Sequence, residues 1–332
     1  MSKSEMLFRS IIGFAIGDAY GLPFELEAKY HATMNNIQQD MMGYGSHSQP
    51  PGTWSDDTSM MIATMDTLST WDTLINLEKG EISEEVLHYI MNAFVQWRNN
   101  GKYGCHEECF DVGFTTDSAI KNYEQFKNLH SCSQKEDFNC GNGAMMRILP
   151  LAFMIQHLPV RRRYEWCEAF SSLTHGHPLS TLCSFIYVEL LINITKRRDI
   201  EWSVQEAIEA VKEIQSYDIL RALDLGKCAR ILKNGLINAD VASINNSGYV
   251  IDTLEAVIWC LNHSSDFQSA VHLAATLGND TDTTAALVGG IAAIVYNEPF
   301  PREWMQELKN TDLLISIAGK FIQSFPQQFD LR

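Results

Sequence analysis

Two short acidic stretches more than two hundred residues apart constrain this chain more than any other feature: Gly52-Thr53-Trp54-Ser55-Asp56-Asp57-Thr58 and Gly278-Asn279-Asp280-Thr281-Asp282-Thr283-Thr284. Each sets two carboxylates and flanking hydroxyls directly before an apolar run of helical character, Met60 to Leu68 after the first and Ala285 to Val295 after the second. Ser, Thr and Asp satisfy the orphan N–H groups of helix starts, so either stretch alone reads as a cap. One cap rarely needs two aspartates and several hydroxyls, yet the pattern occurs twice. Clustered carboxylate and hydroxyl oxygens are what hard divalent cations bind. If the stretches meet, Asp56, Asp57, Asp280 and Asp282 bring four negative charges, enough to neutralise two divalent ions about 4 Å apart. Without cations that arrangement would repel itself, and solvated acidic caps are the competing reading.

The remaining segments read as helix. Leu7, Phe8, Ile11, Ile12, Ala15 and Ile16 recur at three- and four-residue intervals, and the run is expected to end at Gly17-Asp18, with Gly21 and Pro23 close behind. From Ala32 to Gly52 the chain is polar and rich in Gly, Met and Gln, which predicts an irregular, mobile loop. Helical patterns then cover Thr58–Thr70, Glu84–Asn99, Asp117–Leu129, Gly143–Gln156, Arg163–Leu173 and Leu179–Lys196. They continue through Val204–Ser216, Asp224–Gly235, Val250–Asn262, Phe267–Leu277, Thr283–Tyr296, Arg302–Leu308 and Leu313–Ser324. Strand-like alternation is scarce, and no flexible linker or fixed-period repeat divides the chain, so it reads as one compact all-α domain over residues 1–332. Gly289-Gly290 is costly in an isolated helix and predicts close packing against a central neighbour.

Composition narrows the function classes. Apolar residues make up 45% of the 332, enough for a large core, and the formal charge of −16 argues against a nucleic-acid or anionic-membrane surface. The basic run Arg161-Arg162-Arg163 reads as the start of a helix on a solvated face. The start of the chain lacks the pattern of a secretory signal. The apolar run Ala285 to Tyr296 is shorter than the ~20 residues of a membrane span. The expected location is cytoplasmic, and the eight cysteines read as reduced thiols. Cys105, Cys109, Cys132 and Cys140 cluster in sequence with His106 and His130, but their separations do not match paired zinc ligands.

Five motifs occur together in order: Glu25 within Gly17-Asp18-Ala19-Tyr20-Gly21-Leu22-Pro23-Phe24-Glu25, then Ser55-Asp56-Asp57-Thr58, Gly141-Asn142-Gly143-Ala144-Met145-Met146-Arg147, Thr174-His175 and Asp280-Thr281-Asp282-Thr283. In that order, from about Ile11 to Tyr296, the chain resembles the ADP-ribosylglycohydrolase family. That family includes dinitrogenase reductase-activating glycohydrolase and the ADP-ribosylarginine and ADP-ribosylserine hydrolases. The resemblance implies an orthogonal bundle of many helices with a dinuclear metal centre in a central cleft. It also implies that Ser55, Asp56, Asp57, Asp280, Asp282 and Thr283 ligate two Mg²⁺ or Mn²⁺ ions. Ser55 stands where many relatives carry threonine, and Asn279 is bulkier than the residue usual before this aspartate.

By the same resemblance Glu25 enters the site from a loop, as acid, base or water-positioning group. Taken alone, it would be an exposed loop glutamate. Asp111, in Cys109-Phe110-Asp111-Val112-Gly113, is similar to a catalytic aspartate of the dinitrogenase reductase-activating branch, as base or guanidinium contact. It also reads as a cap for a helix starting near Asp117. Gly141-Asn142-Gly143 is placed at a helix start, where its backbone N–H groups would meet pyrophosphate and Asn142 a ribose; outside the family it would be an ordinary turn. His175 resembles a histidine near the ligand, whereas His177 reads as a surface or capping residue. Tyr103 and Tyr249 are both open as adenine partners, with core packing as the plainer role.

The implied reaction releases ADP-ribose from a modified protein side chain, arginine first. Breaking the anomeric bond develops oxocarbenium character, and two cations would fix the ribose diol and activate a water. Serine-linked or small-molecule ADP-ribose conjugates keep the same site. A non-catalytic, crystallin-like member is the alternative of another class.

Overall fold

The computed structural model describes residues 1–27, 40–217, 219–220, 223 and 225–330. Two antiparallel helices form its spine, Lys3–Gly21 and Thr281–Val295. They meet along a seam of small residues. A Cβ at Gly13 would lie 2.5 Å from the Gly289 carbonyl oxygen, one at Gly17 2.0 Å from that of Ala285, and one at Gly21 2.4 Å from that of Thr281. No side chain fits there, so the backbones themselves are in contact. The expected close packing of Gly289 is thereby found, and its partner surface is the first helix. Arg9 holds the far end, its Nε donating to the Ala293 carbonyl at 2.8 Å while its guanidinium lies 4.7 Å from the Phe300 ring centre.

The first helix does not end at Gly17-Asp18. It continues to Gly21 and passes into a 3₁₀ turn, Leu22–Phe24. Burial against the second helix outweighs the cost of about 1 kcal/mol that each interior glycine carries. Asp18 is consequently fully buried at one end of the spine.

Helices pack around this pair on all of their apolar faces. Val250–Asn262 and Phe267–Thr276 lie against Thr281–Val295, and Asp56–Thr70 packs on Glu84–Asn100 and Thr311–Ser324. Pro178–Arg197 is long and apolar enough to span a membrane, with mean hydropathy 1.4, but 89% of that window is buried against its neighbours. The described strands are a two-residue hairpin, Ile75–Asn76 with Glu81–Ile82, so the architecture is all-α.

Several boundaries move for local reasons. The expected Gly143–Gln156 helix is a 3₁₀ turn, Met145–Arg147, followed by Leu149–Ile155, whose first turn accommodates Pro150. The Asp117–Leu129 pattern is Phe114–Phe126, closed by Lys127 at φ 51°, followed by a short Leu129–Cys132 turn capped by Asn128. Asp224–Gly235 resolves into a 3₁₀ turn, Leu225–Cys228, and Ala229–Leu232, with Asp224 itself outside the described residues. Arg163 is not on a solvated face: its guanidinium makes a paired contact with the buried Glu189, Nη2 to Oε2 at 2.7 Å. Arg161 and Arg162 do stay outside, paired with Glu165. Of the Ala32–Gly52 loop, residues 32–39 lie outside the described residues. The rest is irregular but pinned, with a backbone bridge between Tyr44 and Gln49.

Candidate active site

The two acidic stretches converge at the end of the spine where Asp18 lies. Thr283 Oγ1 donates to Asp57 Oδ2 at 3.3 Å across 226 positions. Carboxylate oxygens of Asp18, Asp57 and Asp282 all fall within 4.8 Å of one another. At the first start, Ser55 is the N-cap, its Oγ accepting from Asp57 N at 3.3 Å and donating to Asp57 Oδ2 at 3.1 Å. Asp18 accepts from Ser55 N at 2.9 Å and from Thr58 N and Oγ1 at 3.1 and 2.6 Å. A carboxylate from another helix therefore serves the orphan N–H groups, and Asp56 and Asp57 are free of capping.

At the second start, Asp280 occupies the N-cap position without a capping bond of its own. Its Oδ2 instead accepts from Asn142 Nδ2 at 2.6 Å. Asn246 pins the preceding turn, donating to the carbonyls of Gly278 and Asp280 at 2.7 and 3.0 Å. Asn279 takes a left-handed backbone, φ 58°, which Asn tolerates better than most residues. Its N–H donates to Glu27 O and its carbonyl accepts from Leu26 N, both at 2.8 Å, tying the Glu25 segment to the second stretch.

Electrostatics make this cluster unstable as a set of bare carboxylates. Burial, followed by the neighbouring acids, pushes Asp56, Asp57 and Asp282 well above the usual carboxylate range, and burial raises Asp18 to about 6. Asp57 Oδ1 and Asp282 Oδ1 are buried with no hydrogen-bond partner. Native interiors rarely leave such atoms unmet, and a divalent cation is the partner this donor set fits. The described groups with ligand spacing are this one and a second made of Glu25, His47 and Asp111. Neither group contains Cys105, Cys109, Cys132, Cys140, His106 or His130.

A cavity of about 290 Å³ opens over the cluster and brings Glu25, Asp56, Asp111, Asp280, Asp282 and Thr283 together with Gly141, Asn142, Gly143 and His175. Ser55 and Asp57 lie behind its wall, buried. Asp111 has φ 52°, strain of a kind that concentrates at functional positions. Burial and then Glu25 raise its carboxyl to about 7. It caps nothing: the helix beside it starts at Phe114, with Gly113 in the cap position. Nor is Glu25 an exposed loop residue, because its Oε2 is bonded to His47 Nε2.

Gly141-Asn142-Gly143 does not open a helix, since a 3₁₀ turn intervenes before Leu149. This turn therefore offers pyrophosphate no α-helix N-terminus. The glycines have another reason: a Cβ at Gly141 would lie 3.1 Å from His175 Nε2, and one at Gly143 2.8 Å from His175 Cε1. Both hydrogens of the Asn142 amide are taken, by Asp280 and by Thr253 Oγ1 at 2.9 Å. Its carbonyl oxygen is what remains for a ligand. His175 Nδ1 bonds Thr174 Oγ1 at 2.8 Å, and burial together with Arg147 lowers its pKa to about 3, keeping the ring neutral. His177 caps the Pro178–Arg197 helix, Nδ1 accepting from Leu179 N at 3.1 Å. Tyr103 is turned to Asp66, 2.7 Å away, and lines a different cavity. Tyr249 pairs through its backbone with Gly141.

Sequence reasoning overlooked Asp18 and His47, and the exposed aromatics Phe114 and Phe138, which also line the cavity. Asp18 had a signal, an acid inside an apolar helical run. Phe138 had one too, a large ring in a polar segment without apolar neighbours at helical spacing. His47, within a polar loop, had none.

The chain is an all-α bundle around an acidic cleft, and the ADP-ribosylglycohydrolase family matches it over residues 5–330. The chain belongs to the ADP-ribosylglycohydrolase family, and it is a hydrolase of the glycosidase kind. It is 27% identical to the ADP-ribosylarginine hydrolase Tri1 of Pseudomonas putida over 97% of this chain and 79% of that protein. It is 25% identical to the ADP-ribosyl-[dinitrogen reductase] glycohydrolase of Rhodospirillum rubrum over 93% of this chain and 95% of that one. Among solved structures, an ADP-ribosylglycohydrolase-related protein complex superposes with a TM-score of 0.74 at 22% identity, covering 97% of this chain and 99% of the other.

Proposed function

We propose that the protein releases ADP-ribose from N-linked arginine on a modified protein, with two Mg²⁺ or Mn²⁺ ions bound in the acidic cleft. The observation that carries this reading is the pair of unpartnered, buried oxygens on Asp57 and Asp282, brought together from the two ends of the chain. Ser55, Asp56, Asp57, Asp280, Asp282 and Thr283 would hold the ions. Bound there, the ions supply Lewis acidity toward the ribose hydroxyls and a water of lowered pKa. The wall supports their presence independently. Among the described residues lining the cavity there is no Lys or Arg, so the pyrophosphate of ADP-ribose has only metal charge to balance it.

Glu25 and Asp111 favour arginine over serine, because a guanidinium leaving group is cationic and two carboxylates face it. Hydrolysis breaks the anomeric C–N bond and forms a C–O bond from water. One of these carboxylates takes the proton of that water, and the guanidine nitrogen receives one. Asp111, raised to about 7, is suited to exchanging a proton near neutral pH.

Asp56→Ala and Asp282→Ala should each abolish release of ADP-ribose from an arginine-modified protein while the helical signal stays intact, and chelation should do the same reversibly. Full activity in either variant sinks the site. Serine-linked substrate assayed in parallel decides the linkage, and faster turnover there would displace arginine.

A further inference from the structure

We infer that His47 is a positioning residue of the reaction, holding the carboxylates of Glu25 and Asp111 in register over the acidic cleft. This rests on the reaction proposed above. His47 Nε2 bonds Glu25 Oε2 and stands 3.9 Å from Asp111 Oδ2. The nearest atoms of the three side chains lie within 4.8 Å of one another. One oxygen of Glu25 is thereby anchored and the other is left for the cleft.

The loop that carries His47 is built onto the Glu25 segment. Ser46 Oγ donates to the Glu25 carbonyl, and Ser48 N closes on Gly45 O at 3.3 Å. Gly45, at φ 49°, sits so close to the Leu22–Phe24 turn that a Cβ would be 2.0 Å from Pro23 O. Gly45 admits no side chain, so the loop and the turn move together. On its other side the Glu25 segment is stitched to Asn279, next to Asp280. A continuous chain of contacts thus runs from the second acidic stretch through Glu25 and His47 to Asp111, which is otherwise carried by a separate, strained loop. The Phe110 ring, 6.0 Å from the imidazole, flanks it.

Charge supports the same role. Glu25, Asp111 and the more distant Asp18 face His47, and the Glu25 bond raises its pKa. His175, the other imidazole at the cavity, is held neutral. Both carboxylates favour the charged form of His47, which bridges two acids that would otherwise repel each other. A displacement of about 1 Å at such a group costs on the order of 100-fold in rate.

The test is steady-state kinetics of His47→Ala and His47→Gln on whichever linkage the wild type cleaves, at saturating Mg²⁺, with thermal midpoints measured alongside. His47→Ala should lower kcat about 10- to 100-fold with KM within about twofold. His47→Gln, whose amide can still donate to Glu25, should recover most of that loss. An unchanged kcat in His47→Ala, a change confined to KM, or a Gln variant no better than Ala would overturn the assignment. NMR gives a readout free of turnover and of the folding of His47→Ala: a slowly exchanging imidazole N–H resonance of His47 in the wild type, lost in Glu25→Ala. Its absence from the wild type also overturns the inference. A wild type that cleaves neither linkage overturns the reaction alone, and the NMR result then decides His47.

Discussion

The two helix starts of the cleft look alike in sequence and are built in opposite ways. At Asp56–Thr70 the backbone is capped twice over, by Ser55 Oγ and by Asp18 from the first helix. At Thr281–Val295 the N-cap aspartate makes no capping bond and is held by Asn142, with the turn before it fastened by Asn246. The first start is set by helix capping, the second by a hydrogen-bond network from other parts of the chain. Two acidic motifs can therefore serve one site only because neither depends on its own aspartates for capping.

Three perturbations would break or sharpen that contrast. The largest effect is expected from Asn142→Ala, which frees Asp280 while leaving the first start intact. Activity should fall about 10- to 100-fold, as for lost outer-shell partners of metal ligands, with a matching rise in the Mg²⁺ concentration needed. Equal Mg²⁺ dependence of variant and wild type would count against this.

Next, in metal-free protein, Ser55→Ala should lower stability by about 0.5–1 kcal/mol, the low end for a lost cap because Asp18 remains. Asp280→Asn should leave stability unchanged or raise it, because it removes one like charge and no cap. Chemical denaturation of the two variants compares the starts directly, and equal losses would erase the difference.

At neutral pH the smallest effect concerns His175, behind the glycine turn that carries Asn142. Its folded pKa of about 3 lies below the unfolded value of about 6.5. The unfolded chain then binds the proton more readily. His175 leaves stability independent of pH above about 6.5 and lowers it as pH falls toward 3, by at most about 1.4 kcal/mol per unit. The stability difference between wild type and His175→Gln should change with pH in that window and stay flat above it; a difference flat throughout would show the ring to be accessible.

Much of this was legible beforehand. Helical periodicity, the two acidic starts and Gly289-Gly290 follow from residue spacing and from what Gly and Asp do to a backbone. The exact end of the first helix was not legible, because Gly17 and Asp18 read locally as a stop. Only the facing backbone of Ala285, with no room for a Cβ, turns them into helix interior. For Gly141 and Gly143 the true neighbour, the His175 ring, is more than thirty positions away.

From the sequence alone came the class of the chain and, Asp18 excepted, its set of carboxylates, because helix starts, apolar periods and acidic clusters are local properties. Tertiary structure decided which of those carboxylates cap, which stay without partners and which are paired. Asp18 became a cap, Asp57 and Asp282 kept unmatched oxygens, and Glu25 found His47. The reason is physical: a carboxylate's role depends on the donors within about 3 Å of it, and here those donors come from segments that meet only after folding.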